Sequence, residues 1–139
     1  MKRWILWCCL AALLFFGAVA EGQFISPDER AIRDIIQTFA AARNAHDGAT
    51  VAGLYSEDGE WRSANGLGIV KGRVALADMW SKVEGQVERT VKSVEFPGGE
   101  IAVVRVATQY AEPIGLHSEI FVFVRESGKW RIRVHQTLD

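Results

Sequence analysis

Ile101-Ala-Val-Val-Arg-Val-Ala-Thr-Gln109, Ser118-Glu-Ile-Phe-Val-Phe-Val-Arg125 and Lys129-Trp-Arg-Ile-Arg-Val-His-Gln-Thr137 are successive runs rich in β-branched and aromatic residues, and their reading decides the fold. With Arg89–Phe96 ahead of them, the spacing predicts four consecutive strands over 89–96, 100–110, 118–125 and 129–137. Pro97-Gly98-Gly99, Glu112-Pro113-Ile114-Gly115 and Ser127-Gly128 punctuate them as turns. Links this short make consecutive strands antiparallel neighbours.

Upstream the apolar period changes from two to three and four. Ser26-Pro27-Asp28-Glu29 opens a helix with a cap, a proline at the first helical position and acids against the positive end of the dipole. Ile32, Ile35, Ile36, Phe39 and Ala40 form its buried stripe, and it should stop between Asn44 and Gly48. Asp47 can cap a second, shorter helix with Val51, Leu54 and Tyr55 on one face. Glu60–Ser63 and Leu67–Lys71 read as short strands around Asn65-Gly66, and Arg73–Val83 returns to helix through Leu76, Met79 and Trp80. Helices first and strands afterwards define an α+β domain, with three helices on one face of a curled antiparallel sheet.

The amino terminus is read separately. Met1-Lys2-Arg3, the apolar run Trp4–Phe16 and the small residues Ala18 and Ala20 match a secretory signal, with cleavage expected after Ala20. Export to the periplasm or medium follows as the expectation, with no stable membrane anchor after cleavage. Removing residues 1–20 from the 139 leaves a single domain over 21–139 without Cys8 and Cys9, so neither disulfides nor thiol catalysis is expected. The formal charge of −1 becomes −3 when Lys2 and Arg3 leave, which argues against a nucleic-acid partner. No His, Cys, Asp or Glu spacing fits a metal, and Gly98-Gly99 after a proline is a turn, not a phosphate cradle. Neither metal nor cofactor is expected.

Two of the strands, around Ile101-Ala-Val-Val104 and Ile120-Phe-Val-Phe-Val124, are apolar on both faces. A sheet covered by helices on one side leaves its other face to water, so a greasy second face predicts a homodimer.

Phe39-Ala-Ala-Ala-Arg-Asn-Ala-His-Asp47, Leu54-Tyr-Ser-Glu-Asp-Gly-Glu-Trp61, Gly72-Arg73 at a helix start and Gly128-Lys-Trp-Arg-Ile132 resemble the SnoaL-like group of the nuclear transport factor 2-like superfamily. The resemblance spans about Asp28 to Thr137. It implies a cone of three helices and a curled sheet, commonly dimeric, with a pocket at the open end. Members include isomerases, cyclases, dehydratases, epoxide hydrolases and domains that only bind or dock, so fold alone does not set activity. The isomerase branch needs a carboxylate base and two oxyanion donors. Its first-helix tyrosine corresponds here to Phe39 and its base to Ser63, neither of which can serve, while a late-strand acid corresponds to Glu119.

The remaining polar candidates each carry two readings. Arg105, on the strand face of Val103 and Ala107, either holds a ligand carboxylate or carbonyl, or sits in a dimer-face ion pair. By strict alternation Gln136 shares a face with Trp130, Ile132 and Val134, where it can orient a ligand or fray with the last strand. His135 either suits acid/base work, as a strand imidazole with a near-neutral pKa, or falls with Arg131 and Arg133 on a solvated or interfacial basic face. His117 and Glu119 share a strand side and form the best available acid/base couple. Phe39, Tyr55, Trp61 and Trp80 either line a ligand cavity or fill it. The expectation is therefore an exported SnoaL-like domain that binds a small, mainly apolar molecule in a conical pocket. The alternatives are a cyclase, hydratase or isomerase with a non-standard acid/base set, and a docking module of the envelope.

Overall fold

The computed structural model describes residues 24–113 and 115–139, so the predicted leader over residues 1–20, with both cysteines, lies outside the described part. The elements are α1 (Pro27–Asn44), α2 (Gly48–Gly53), β1 (Tyr55–Arg62), β2 (Ile69–Lys71), α3 (Arg73–Lys82), β3 (Val87–Gly98), β4 (Ile101–Tyr110), β5 (Gly115–Glu126) and β6 (Lys129–Thr137). They build an α+β fold in which three helices pack on one curled sheet.

Local chemistry sets the helix ends. Ser26 Oγ accepts the Glu29 amide at 3.1 Å, and Asp47 Oδ1 accepts the Thr50 amide at 3.0 Å, so both expected caps form. α1 buries Ile32, Ile36, Phe39, Ala40 and Ala42 against the sheet. Arg43 near its end is also buried, and its guanidinium donates to the carbonyls of Gly85 (2.6 Å) and Glu84 (3.1 Å), tying α1 to the linker between α3 and β3.

The strand order is β2-β1-β6-β5-β4-β3. The four long carboxy-terminal strands are antiparallel neighbours, as their short links dictate. Ser127 (φ 49°) and Gly128 (φ 75°) turn β5 into β6, the two-residue geometry whose twist matches that of the strands. One pairing departs from the expectation of an all-antiparallel sheet. β1 lies parallel to β6, because they are far apart in sequence and meet through a crossover rather than a hairpin, and the sheet is mixed. β1 also starts at Tyr55 rather than Glu60, so Tyr55 is a strand residue and not the last turn of a helix.

A second correction concerns β6. Ile132 pairs with Phe123 and Val134 with Val122, so Arg133 is an extra residue between two adjacent pairs, a β-bulge. Trp130 and Ile132 face the core before the bulge, and His135 faces it after. Gln136 therefore does not share a face with Trp130 and Ile132, and His135 does not lie on a solvated basic face. One unpaired residue reverses the alternation on which both assignments rested.

Candidate functional site

Each of the five long strands sends one polar side chain into the interior. Tyr55 comes from β1, Arg89 from β3, Thr108 from β4, Glu119 from β5 and His135 from β6, all buried. Register explains their meeting. Arg89 lies opposite Thr108, Glu119 sits one diagonal from Thr108, and Phe121, next inward on β5 after Glu119, lies opposite His135.

The contacts form a chain. Arg89 Nε donates to Glu119 Oε2 at 3.0 Å, and Thr108 Oγ1 donates to the same oxygen at 2.7 Å. His135 Nε2 lies 3.3 Å from Glu119 Oε1, and His135 Nδ1 lies 3.1 Å from Tyr55 Oη. The carboxylate can only accept, so the ring proton belongs on Nε2, which leaves Nδ1 to accept the Tyr55 O–H. Aromatic rings enclose this chain. His135 stacks on Phe121 with centroids 4.0 Å apart and on Trp80 at 5.8 Å, and the edge of Phe39 completes the wall at 5.5 Å. The Arg89 guanidinium lies 4.2 Å from the Phe39 ring centroid.

Electrostatics follow from burial and partners. Burial opposes ionisation of Glu119, but the Arg89 charge, then His135 and the Thr108 hydroxyl, outweigh it and hold its carboxyl well below the usual carboxylate range. Burial lowers the His135 pKa against the pull of Glu119, so the imidazole is neutral. Burial pushes the Tyr55 phenol far up, and it stays protonated. Arg89 and Glu119 thus cancel, and the interior carries no net charge from these five groups.

Three buried nitrogens here lack a well-directed hydrogen bond: Arg89 Nη1, Trp80 Nε1 and His135 Nε2. A buried unpaired donor costs free energy, about 1–3 kcal/mol. A buried ion pair is moreover seldom more stable than apolar side chains of similar volume. Packing alone gives this interior no reason to hold these groups.

The residues singled out from sequence separate into two sets. Phe39, Tyr55 and Trp80 meet in the interior, with Trp61 half-buried at its rim, 6.4 Å from Trp80. Their rings fill the space between helices and sheet in the described conformation, so the interior is closed. Arg105 and Gln136 lie on the opposite face of the sheet. Arg105 lines an open groove of about 380 Å³ with Lys92, Leu116, Ile120 and Leu138, and Gln136 donates to the Ser63 carbonyl at 2.9 Å. His117 shares a strand side with Glu119, but its Nδ1 is engaged by the Asp139 carbonyl at 2.9 Å at the exposed end of β5. The partners of Glu119 are Arg89, Thr108 and His135 instead.

The isomerase positions stay empty of their chemistry. Phe39 has no donor, Ser63 is used in a turn where its Oγ accepts the Gly68 amide at 2.8 Å, and Glu119 is an ionised acceptor rather than a protonated donor. Sequence reasoning missed Arg89 and Thr108. Each is the one polar residue at the same end of an otherwise apolar stripe, Arg89 with Val87 and Val91, Thr108 with Val104 and Val106, and that coincidence was the available signal. Among the described residues no group of three or more His, Cys, Asp or Glu is placed to hold a metal ion.

The family profile described as SnoaL-like domain matches residues 36–135. No curated protein matches the chain. Among solved structures, a domain of unknown function with a cystatin-like fold from Nostoc punctiforme is 22% identical with a TM-score of 0.71, covering 79% of this chain and 75% of that one. A ketosteroid isomerase-like protein from Erwinia carotovora atroseptica is 20% identical with a TM-score of 0.67, covering 81% and 95%. An NTF2-like protein with a cystatin-like fold from Novosphingobium aromaticivorans is 19% identical with a TM-score of 0.66, covering 79% and 80%. At these identities the likeness is one of fold.

Proposed function

Since the chain belongs to the SnoaL-like domain family, we propose that it binds a small, mainly apolar molecule in its interior, with Tyr55, His135 and Arg89 as the polar floor. The observation that carries this reading is Arg89 Nη1, a buried donor with no hydrogen-bond partner beside the rings of Phe39 and Phe121. A ligand oxygen satisfies such donors, and aromatic walls supply the apolar contact. The five polar groups sum to no charge, which favours a neutral ligand over a carboxylate. Access is through the rim, where Trp61 and Trp80 give way to the ligand.

Titration with a lipophilic ketone, followed by tryptophan emission, tests the reading. A saturable quench at one equivalent that weakens in Trp80→Phe is expected. A response linear in ketone concentration, alike in both proteins, overturns it.

Export belongs to the same proposal and rests on the composition of residues 1–20. The exported protein should begin at Glu21, and intact Met1 in washed membranes would count against export. Among the described residues no helix is long and apolar enough to cross a membrane. Pairing of two copies through the outer sheet face completes the proposal, supported by half-buried Val103, Ile120 and Val122 there.

A further inference from the structure

We propose that the open groove on the outer face of the sheet binds a small alkyl carboxylate, with Arg105 and Lys92 on the head group and Leu116, Ile120 and Leu138 along the chain. This site is separate from the interior and goes beyond the ligand-binding reading above, on which it does not depend.

Arg105 differs from the other strand arginines in its surroundings. Arg62 pairs with Glu60, Arg89 with Glu119, Arg125 with Asp28 and Arg133 with Asp58, and Arg131 donates to the Gly53 carbonyl at 2.7 Å. Among the described residues Arg105 meets neither a carboxylate nor a carbonyl, although it lies in the middle of β4 with Ser93 and Ile120 as its neighbours across the sheet. A second cation is set beside it. β3 pairs Val91 with Val106 and Ser93 with Arg105, so Lys92 is the extra residue of a bulge, and it lines the groove together with Arg105. Glu119 borders the groove too, but its carboxylate is held on the inner side by Arg89 and Thr108 at 3.0 and 2.7 Å. Two like charges that share a groove without an acid repel each other, and an incoming anion relieves that repulsion. The guanidinium fork matches both oxygens of a carboxylate, and the ammonium adds a point charge.

The rest of the groove suits an alkyl chain. Its volume is about 380 Å³, and Leu116 and Leu138 stand 66% and 46% exposed at its walls, so a chain laid over them removes apolar surface from water. The Leu138 wall is fixed by its neighbours. The Leu138 amide donates to the Ser118 carbonyl at 2.9 Å, Asp139 Oδ1 accepts the Ser118 amide at 2.6 Å, and the Asp139 carbonyl lies 2.9 Å from His117 Nδ1. Register also separates the groove from the patch suited to pairing of two copies. Ala107 lies opposite Ser118 and Arg105 opposite Ile120, whereas Val103 and Val122 face each other nearer the turn between β3 and β4. The two surfaces meet only at Ile120.

Octanoate titrated into nitrogen-15-labelled protein, with octan-1-ol and acetate as controls, is the test. Octanoate should move the backbone amide resonances of Arg105, Ala107 and Ser118 saturably, and both controls should bind about tenfold more weakly or less. Arg105→Gln should weaken octanoate by about tenfold or more, the loss of one charged hydrogen bond, and leave octanol unchanged. Lys92→Gln should weaken octanoate to a smaller extent, and added salt should weaken octanoate but not octanol. Equal binding of octanoate and either control overturns the site, as does equal binding of octanoate by wild type and Arg105→Gln. Saturable shifts confined to the Trp80 indole and the interior amides also overturn the groove while supporting the interior reading, so the two fail separately. Should Arg105→Gln fail to fold, Leu116→Glu decides, because an acid set against the cations in place of an apolar wall should abolish octanoate binding. Retained binding in that variant overturns the site.

Discussion

Glu119 is a charged carboxylate at 2% exposure, and its presence there depends on one guanidinium. Removing either partner strands the other in a low-dielectric interior. Glu119→Gln and Arg89→Met should each destabilise the fold by about 3–5 kcal/mol in urea unfolding. Replacing both, with leucine and methionine, should destabilise far less than the two single changes together, because no charge is then left unmatched. Additive losses would mean that the two side chains act independently. His135 adds a dependence on pH. Its folded pKa is depressed below the ordinary value of 6.5 by burial, so below that pH the unfolded chain binds more protons than the folded one. Stability is then fully present above the unfolded value and is lost as pH falls through the window beneath it. Glu119 acts in the same direction at lower pH, its contribution present above the normal carboxylate range and lost as pH drops towards its depressed folded value. The thermal midpoint should fall between pH 7 and pH 5, and His135→Gln should flatten that slope; parallel slopes in the two proteins would remove His135 as the cause.

The helices meet at a contact only glycine allows. A Cβ on Gly48 of α2 would lie 2.0 Å from the Ala77 carbonyl oxygen of α3, while a Cβ on Gly53 meets nothing within 4 Å. Gly48→Ala should therefore cost about 1–3 kcal/mol through forced separation of α2 and α3, whereas Gly53→Ala should be neutral or stabilise by up to about 1 kcal/mol. Thermal unfolding of the two variants side by side checks this, and equal behaviour would show that α2 and α3 adjust without strain. Elements of this kind were largely legible in the sequence. Ser26 and Asp47 announced their helices because capping is local chemistry, and Ser127-Gly128 announced its hairpin because positive φ is a local demand. Tyr55 was misplaced in a helix because its apolar interval continues the stripe of Val51 and Leu54 for one step into β1. The interior cluster was half legible. Its rings and Glu119 were named from sequence, but pairing Glu119 with Arg89 requires the register across three strands, and finding His135 inside requires the bulge at Arg133, neither of which a single strand's pattern records.

At the scale of the whole molecule, the two faces of the sheet differ in what they present. The helix-covered face holds the polar cluster, and the outer face offers half-buried Val103, Ile120 and Val122 beside Arg105. If two copies join through that outer face, sedimentation at micromolar concentration should give a dimer, and Val122→Glu should give a monomer that still passes the ketone titration. A monomeric wild type would remove the dimer and leave the interior untouched, since no side chain of the cluster is exposed on that face. The bulge at Arg133 links the two faces in one further way. The last strand has, in effect, a reading frame, and Arg133 shifts it. Removing that residue would leave Ile132 opposite Phe123, Val134 opposite Val122 and His135 still turned inward in a regular ladder, whereas pairing it regularly would present Gln136 to the interior and turn His135 towards the outside. In a cone of this design, which side chains the chamber holds is decided by whether one residue of the last strand pairs or stands outside the ladder.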